Sequence, residues 1–252
     1  MFKPSNARRI VLATNVAETS LTVPGIRYVI DAGTARVKRY SYRNKVEQLQ
    51  IEPVSQAAAN QRAGRCGRVA DGICIRLYDE ADFQTRPRFT DPEILRLSLA
   101  AVILRMKSLH LTAIETFPFI ESPPGRAIAD GYQLLNELGA VDDDNALTPL
   151  GRELARLPLD PRVCRTILAA RDHHALTEVL IIASALSVQD PRDRPIEAQD
   201  QAHRQFVDKR SEFLQWTRIW KWFEDAVAHK KSNKQLADAC RANFLSHLRL
   251  RE

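Results

Sequence analysis

A chain of 252 residues has room for one to three compact units, and 44% hydrophobic against 27% charged residues is the composition of an ordinary globular chain. No run approaches the ~18 apolar residues that span a bilayer, and residues 1–6 lack the apolar stretch of a signal peptide. The net charge of +6 fits a polyanionic partner without requiring one, and four cysteines with no Cys-x-x-Cys pair speak against zinc or a disulfide framework and for isolated thiols in a reducing cytoplasm.

Residues 8–14 read as a short buried strand, because a brief apolar run ends in polar residues. Residues 28–31 give a second strand between Gly25 and Gly33, and residues 72–78 a third. Continuous apolar runs ending in Thr or Asp fit a parallel sheet covered on both faces, where ligands gather at the carboxyl ends. Thr14, Asn15 and Asp31 sit at such ends. Residues 35–52 alternate as a hairpin. Its first arm carries Arg36, Lys38 and Arg39, then Arg43 and Lys45, interleaved with Tyr40 and Tyr42. Either this is a basic, aromatic finger against a phosphate backbone, or it is a solvated hairpin. Ser55 is placed to cap a helix over 56–62.

From Asp91 the pattern turns helical. Asp91 caps and Pro92 opens a helix over 92–108 with Leu95, Leu99, Val102, Ile103 and Met106 on one face. A helix over 126–138 stops at Gly139, and residues 140–148 make a small two-stranded wing with an acidic turn, which together predict a winged helix. Thr148 with Pro149, and then Pro161, open two further helices. Residues 176–186 are nearly all apolar and predict a central helix. Residues 190–195 form a loop, followed by helices over about 198–227, with a break allowed, and 232–247.

The chemistry concentrates in Gln61-Arg62-Ala63-Gly64-Arg65-Cys66-Gly67-Arg68. Continued as a helix, it puts Gln61, Arg65 and Arg68 on one face. Gly64 and Gly67 each cost about 1 kcal/mol there, which predicts close approach to a ligand rather than a salt-bridged surface helix. Arginine forks at this spacing suit phosphates. The second piece, residues 13–22, is Ala-Thr-Asn-Val-Ala-Glu-Thr-Ser-Leu-Thr, dense in hydroxyl and amide groups that cap a helix, touch a phosphate, or do both.

In this order and about 40 residues apart, the two pieces resemble motifs V and VI of superfamily 2 helicases, with DEAH-box RNA helicases of the bacterial HrpA type as the nearest pattern. Cys66 stands where many relatives have alanine. Residues 89–94, 147–151 and 158–161 resemble the family's winged-helix entry and the start of its helicase-associated bundle. The fold class implied is α/β and then mostly α. Residues 1–82 would be the C-terminal part of a second RecA-like lobe, 83–147 a winged helix, and 148–252 a ratchet-like bundle cut short.

The resemblance implies that Arg65 and Arg68 are arginine fingers on the γ-phosphate of ATP and that Gln61 positions the attacking water. Arg62, Gly64 and Asp31 would serve the nucleotide, Asp31 at the ribose, and Phe2 would stack on adenine. Thr14, Asn15 and Thr19 would touch the RNA backbone, Ser20 would relay nucleotide state, and Arg36, Lys38 and Arg39 would add RNA contacts. ATP and Mg²⁺ would be held mainly by a first RecA-like lobe, because this sequence has nine glycines and no Gly-Lys pair of a P-loop. Residues 79–82, Asp-Glu-Ala-Asp, follow motif VI and read as a turn out of the lobe, not a Mg²⁺ site. The parent would move 3′ to 5′ on RNA, engaging a single-stranded 3′ tail, with no membrane partner and no oligomer, and this chain alone would be inactive. The alternatives are a non-enzymatic RNA- or partner-binding module and, less in keeping with the arginines, a DNA-binding regulator.

Overall fold

The computed structural model describes residues 8–193, 203–229 and 232–252. The chain forms two units, one from Met1–Met106 and Leu111–Gln133, the other from Lys107–His110 and Leu134–Glu252.

In the first unit β1 (Tyr28–Asp31) pairs in parallel with β4 (Ile73–Arg76), Tyr28 opposite Ile73 and Asp31 opposite Arg76. A parallel pair needs a long crossover. Here it carries the antiparallel hairpin β2 (Thr34–Ser41) and β3 (Val46–Pro53), then α2 (Gln56–Ala63). Ser55 caps α2, its hydroxyl oxygen accepting the Ala58 amide at 3.2 Å. Ala58 and Ala59 bury with Val54 in a small core that Ala35 and Phe83 cover. One face of the β1–β4 pair stays open: Tyr28, Ile30, Ile73 and Ile75 are all at least half exposed. Exposed apolar surface of this kind favours association in water.

The strand expected over 8–14 does not form. Residues 8–13 have no regular structure, with Ile10 and Leu12 exposed, and α1 (Val16–Thr19) is a single turn. No strand among the described residues lies beside this segment to take up its N–H and C=O groups, and a strand without a neighbour has no ladder to stabilise it. Residues 79–82 lead into α3 (Glu80–Thr85). Asp79 caps it through the Asp82 amide at 2.6 Å, and Asp82 pairs with Arg86.

The single helix expected over 92–108 is two, α4 (Glu93–Arg96) and α5 (Ala100–Ser108), broken where Leu97 turns extended. Asp91 does not cap. Its carboxylate is taken by the Arg39 guanidinium at 3.1 Å, while Arg96 donates to the Asp91 carbonyl at 3.1 Å and the Lys38 carbonyl at 3.3 Å. These long-range charged bonds outweigh a local cap worth ~1 kcal/mol. Leu99, Ala100 and Ile103 bury as the apolar stripe predicts. α6 spans Gly125–Glu137.

In the second unit Gly139 stops α6 with φ +70°, and the wing closes through a Val141–Leu147 bridge. Thr148 caps α7 (Pro149–Leu154) by accepting the Gly151 amide at 2.9 Å. A Cβ on Gly151 would run into the carbonyl oxygen of Ala140 and sit 2.8 Å from Leu147. Backbone cannot swing aside, so Gly151→Ala is expected to cost about 3 kcal/mol. Urea unfolding followed by tryptophan fluorescence reads this directly, because all three tryptophans lie in or against this unit's core.

Asp160 caps α8 (Pro161–Asp172), and α9 (Leu176–Ser187) follows. α9 is not the central helix its apolarity predicts: Ala183 is its buried residue, while Leu176, Leu180 and Leu186 are 41–55% exposed. Ile181, Ile182 and Ala185 pack against a core built elsewhere. That core joins α10 (Glu212–His229), α11 (Asn233–Ala242) and α12 (His247–Arg251) through Trp216, Ile219, Phe223, Leu236, Cys240 and Leu250. An amphipathic helix commits one face to a core, whereas a uniformly apolar one has no preferred face for the fold to select. The helix expected over 198–227 begins at Glu212 after a 3₁₀ turn at Arg204–Phe206, and residues 198–202 lie outside the described residues, as do 194–195 of the expected loop. The helix expected over 232–247 breaks at Asn243, where Phe244 adopts φ +55°. Residues 190–193 are tied back by Ser246 N–H to the Pro191 carbonyl and Asp193 N–H to the Phe244 carbonyl.

Candidate functional site

The carboxyl ends of β1 and β4 face the last turn of α2, and the site grows from there. Asp31 ends β1 with its side chain shut from solvent. Oδ1 accepts the Gly33 amide at 2.9 Å and Arg62 Nη1 at 2.8 Å, and Oδ2 accepts the Tyr78 hydroxyl at 2.9 Å. Gly33 is required here: it has φ +75°, and a Cβ would come within 2.5 Å of the Tyr78 ring. Burial pushes the Asp31 carboxyl's pKa up, but the hydrogen bonds from Arg62, Gly33 and Tyr78 outweigh it and hold it below the ordinary aspartate value.

Arg62 is the hub. Its Nε donates to Glu18 at 2.9 Å, its Nη1 to Asp31 and to the Thr34 carbonyl at 3.2 Å, and its side chain is only 15% exposed. Desolvation works against its charge, yet the two carboxylates raise its pKa on balance. Asp31 and Arg62, both expected at the nucleotide, are thus saturated by each other and by neighbours of this chain.

The helix does not continue through residue 68. α2 ends with Gly64 as its last, right-handed cap, and residues 65–67 turn tightly, Arg65 N–H to the Arg62 carbonyl and Cys66 N–H to the Ala63 carbonyl. Gln61 therefore stays exposed on the helix while Arg65 and Arg68 lie on the turn beyond it, so the shared helical face is replaced by a helix-to-turn edge. The turn is braced from behind: Cys66 is buried, its thiol donates to the Ala63 carbonyl at 3.0 Å, and Gly72 leaves no room for a Cβ against the Cys66 backbone. A Cβ at Gly67 would meet nothing among the described residues, and one at Gly64 only ordinary contact. Packing within the described residues therefore does not demand either glycine.

Arg65 differs from its neighbours. Its Nε and Nη1 are closed to solvent and meet no hydrogen-bond acceptor among the described residues. Leaving buried donors unmade costs about 1–3 kcal/mol each, more when the group is charged. Arg68 is exposed and donates to the Thr22 hydroxyl at 2.5 Å. Thr14 and Asn15 are exposed ahead of α1, and Thr19 and Ser20 share a hydroxyl contact at 3.4 Å. Residues 14–22 and 61–68 thus come together as one patch.

The hairpin trio does not. Arg36 and Lys38 point to one face of β2 and Arg39 to the other, as period-two alternation requires. Arg39 spends its fork on Glu52, at 2.5 and 2.9 Å, and on Asp91. Lys38 reaches Glu47 at 3.5 Å with its side chain largely in solvent, and Arg36 is exposed. Lys45 is paired with Asp130, and Tyr42 lies under the Arg126 guanidinium at 5.4 Å. Phe2 lies outside the described residues. Glu18, Thr22 and Tyr78 carry no role in the sequence reading. Their partners are 44, 46 and 47 residues away in sequence, so no local pattern marks them.

Comparison with known proteins fits this geometry. The helicase conserved C-terminal domain matches residues 1–70, the winged-helix part of the helicase associated domain (HA2) residues 132–159, and its ratchet-like part residues 160–247. The ATP-dependent RNA helicase HrpA of Escherichia coli is 56% identical over the whole chain, and its Haemophilus influenzae homolog 55%. The chain belongs to the HrpA-type helicase family. The probable ATP-dependent RNA helicase DHX35 of Homo sapiens is 38% identical over 96% of the chain. The chain spans about a fifth of the length of the two bacterial relatives and 34% of the human one. The fold class follows from the same matches: part of a parallel-sheet helicase lobe, a winged helix and a helical HA2 bundle. Among the described residues no helix is long and apolar enough to cross a membrane.

Proposed function

We propose that this chain supplies the trans-acting half of an ATP-dependent RNA helicase, in which Arg65 is the principal arginine finger. The observation that carries this is the Arg65 guanidinium, with two buried donor nitrogens that meet no acceptor among the described residues. A folded chain tolerates such a group when a partner outside it completes the pair, and a γ-phosphate oxygen has the charge and lone pairs to do so. Arg68, exposed and bonded to the Thr22 hydroxyl, is the second finger, and exposed Gln61 at the edge of the turn orients the water. Gly64, which packing does not require to be glycine among the described residues, leaves the backbone open to close approach by the nucleotide. Asp31 and Arg62 are better placed as the support behind the site, since the Asp31 carboxylate is already filled by three donors. Thr14, Asn15 and Thr19 contact the RNA backbone, with Ser20 as relay. Arg36 and Lys38 add a basic face on the hairpin, while Arg39 holds the hairpin's shape.

In this reading ATP and Mg²⁺ are held by a P-loop lobe that this sequence does not encode, with Phe2 stacking on the adenine, and the substrate is RNA with a single-stranded 3′ tail, traversed 3′ to 5′ in the cytoplasm. The domain bounds 1–82, 83–147 and 148–252 belong to the same reading. The test is a graft. Replacing the matching fifth of the Escherichia coli relative with this chain should leave RNA-stimulated ATP hydrolysis, whereas the 252-residue chain alone should turn over no ATP and should bind single-stranded RNA in a salt-dependent way. RNA-stimulated hydrolysis by the chain alone, or an inactive graft that is correctly folded, overturns the proposal.

A further inference from the structure

The Arg62 guanidinium bridges two carboxylates, one at the end of a paired strand and one on a single turn of helix. Asp31 is fixed at the end of a paired strand by three donors. Glu18 sits on α1, a single turn in which no residue is buried. Among the described residues, the side-chain hydrogen bonds that reach from residues 14–22 to the rest of the unit are Glu18 to Arg62 and Thr22 to Arg68. Both arginines belong to the segment that carries Arg65, one on either side of it. A short helix with no buried face takes its position from such bonds rather than from packing.

We propose that Glu18 and Arg62 form a latch that sets residues 14–20 against the turn at residues 64–68, so that the grip on RNA follows the position of the phosphate-facing arginines. Glu18 and Arg62 are positioning residues: neither touches RNA or nucleotide. The inference rests on the reading of residues 14–20 as RNA contacts and adds the device that controls them. The shape of the guanidinium is essential. Its planar fork serves Glu18 through Nε and Asp31 through Nη1 at once, which a lysine ammonium on a flexible stem does not reproduce. A movement of Gly64 and the turn after it shifts Arg62, two residues upstream, and Arg62 carries Glu18 with it.

The experiment compares the 252-residue chain with Glu18→Ala, Glu18→Gln, Arg62→Lys and the Glu18→Ala/Arg62→Lys double variant. Affinity for a fluorescein-labelled twelve-nucleotide poly-U RNA is read by anisotropy, and amide and arginine Nε–H signals by NMR. Glu18→Ala and Arg62→Lys are each expected to weaken RNA binding about tenfold, with the double variant no weaker than either, because both remove one interaction. Glu18→Gln, whose amide oxygen still accepts from Nε, is expected to keep most of the affinity. Glu18→Ala should lower the stability of the first unit less than Asp31→Ala, whose carboxylate also serves Gly33 and Tyr78, and an equal or larger loss would make Glu18 a structural prop instead of a latch. In the same variant the Arg62 Nε–H signal and the amides of residues 64–68 should shift together. If the chain binds RNA and both single variants bind within twofold of it, or their losses add, the latch is wrong. If the unmodified chain does not bind RNA, the RNA reading fails by itself, and the latch then stands or falls on the NMR shifts at residues 64–68. Their absence overturns it.

Discussion

Arg65→Ala, introduced into the graft that joins this chain to the P-loop lobe of its Escherichia coli relative, is expected to lower ATP turnover by about 10³-fold while leaving RNA affinity within about twofold. If Arg65 is the proposed finger, the loss is confined to turnover, because the guanidinium then acts where negative charge builds up on the transferred phosphoryl group and not where RNA sits. The same substitution should leave the chain as stable as before, or more stable by about 1 kcal/mol, since it removes two buried donors that meet no acceptor among the described residues. Arg65→Lys keeps the charge without the fork and should recover only part of the rate. Steady-state phosphate release with saturating RNA, beside anisotropy on the same samples, decides this. Turnover within threefold of the unmodified graft would sink the assignment, and a parallel drop in RNA affinity would move Arg65 to the RNA side.

Asp31→Ala should be the most damaging single change to the first unit, costing about 3–5 kcal/mol, because it strips a buried arginine of one of its two charged partners. It also takes the acceptor from the Tyr78 hydroxyl and from the Gly33 amide. The effect depends on pH in a definite sense. The folded carboxyl has a lowered pKa, so the stability it supplies is fully present above the ordinary aspartate value of about 4 and fades as the pH falls through the lower folded value. The gap between the unmodified chain and Asp31→Ala should therefore be wide at pH 7 and shrink below pH ~4. Hydrogen exchange at the amides of Val29, Ile30 and Ala59 follows this unit separately from the tryptophans of the other. A gap that stays constant from pH 7 to pH 2 would show that the Asp31 charge is not what holds the unit.

Neighbouring residues left plain marks in the sequence. Ser55 before an alanine-rich run and Thr148 before Pro149 each predict a helix start and cap as expected, and Pro161 opens a helix as expected, with Asp160 as its cap. Gly139 ends α6 in the left-handed region, as a helix-stop glycine should. The hairpin is legible from alternation, and the parallel strands at residues 28–31 and 73–76 from apolar runs between glycines and polar ends. Asp91 marks where this ends. Read locally it is a cap in front of proline, but Arg39, 52 residues upstream, claims its carboxylate. α9 marks another limit, since a helix apolar all round carries no instruction about which side is inside.

What the sequence determined by itself is the family and the two segments proposed to carry its chemistry, because such segments need particular residue types at fixed short spacings. What only the tertiary structure decided is how roles divide within them. Arg62, Arg65 and Arg68 look alike in a motif, yet among the described residues Arg62 is bound on two sides by carboxylates, Arg68 rests on a hydroxyl, and Arg65 has two buried donors that meet no acceptor. The difference lies in which distant groups fold against each guanidinium. Glu18 and Asp31 reach Arg62 from 44 and 31 residues away, through contacts that exist only once α1, β1 and α2 are packed together.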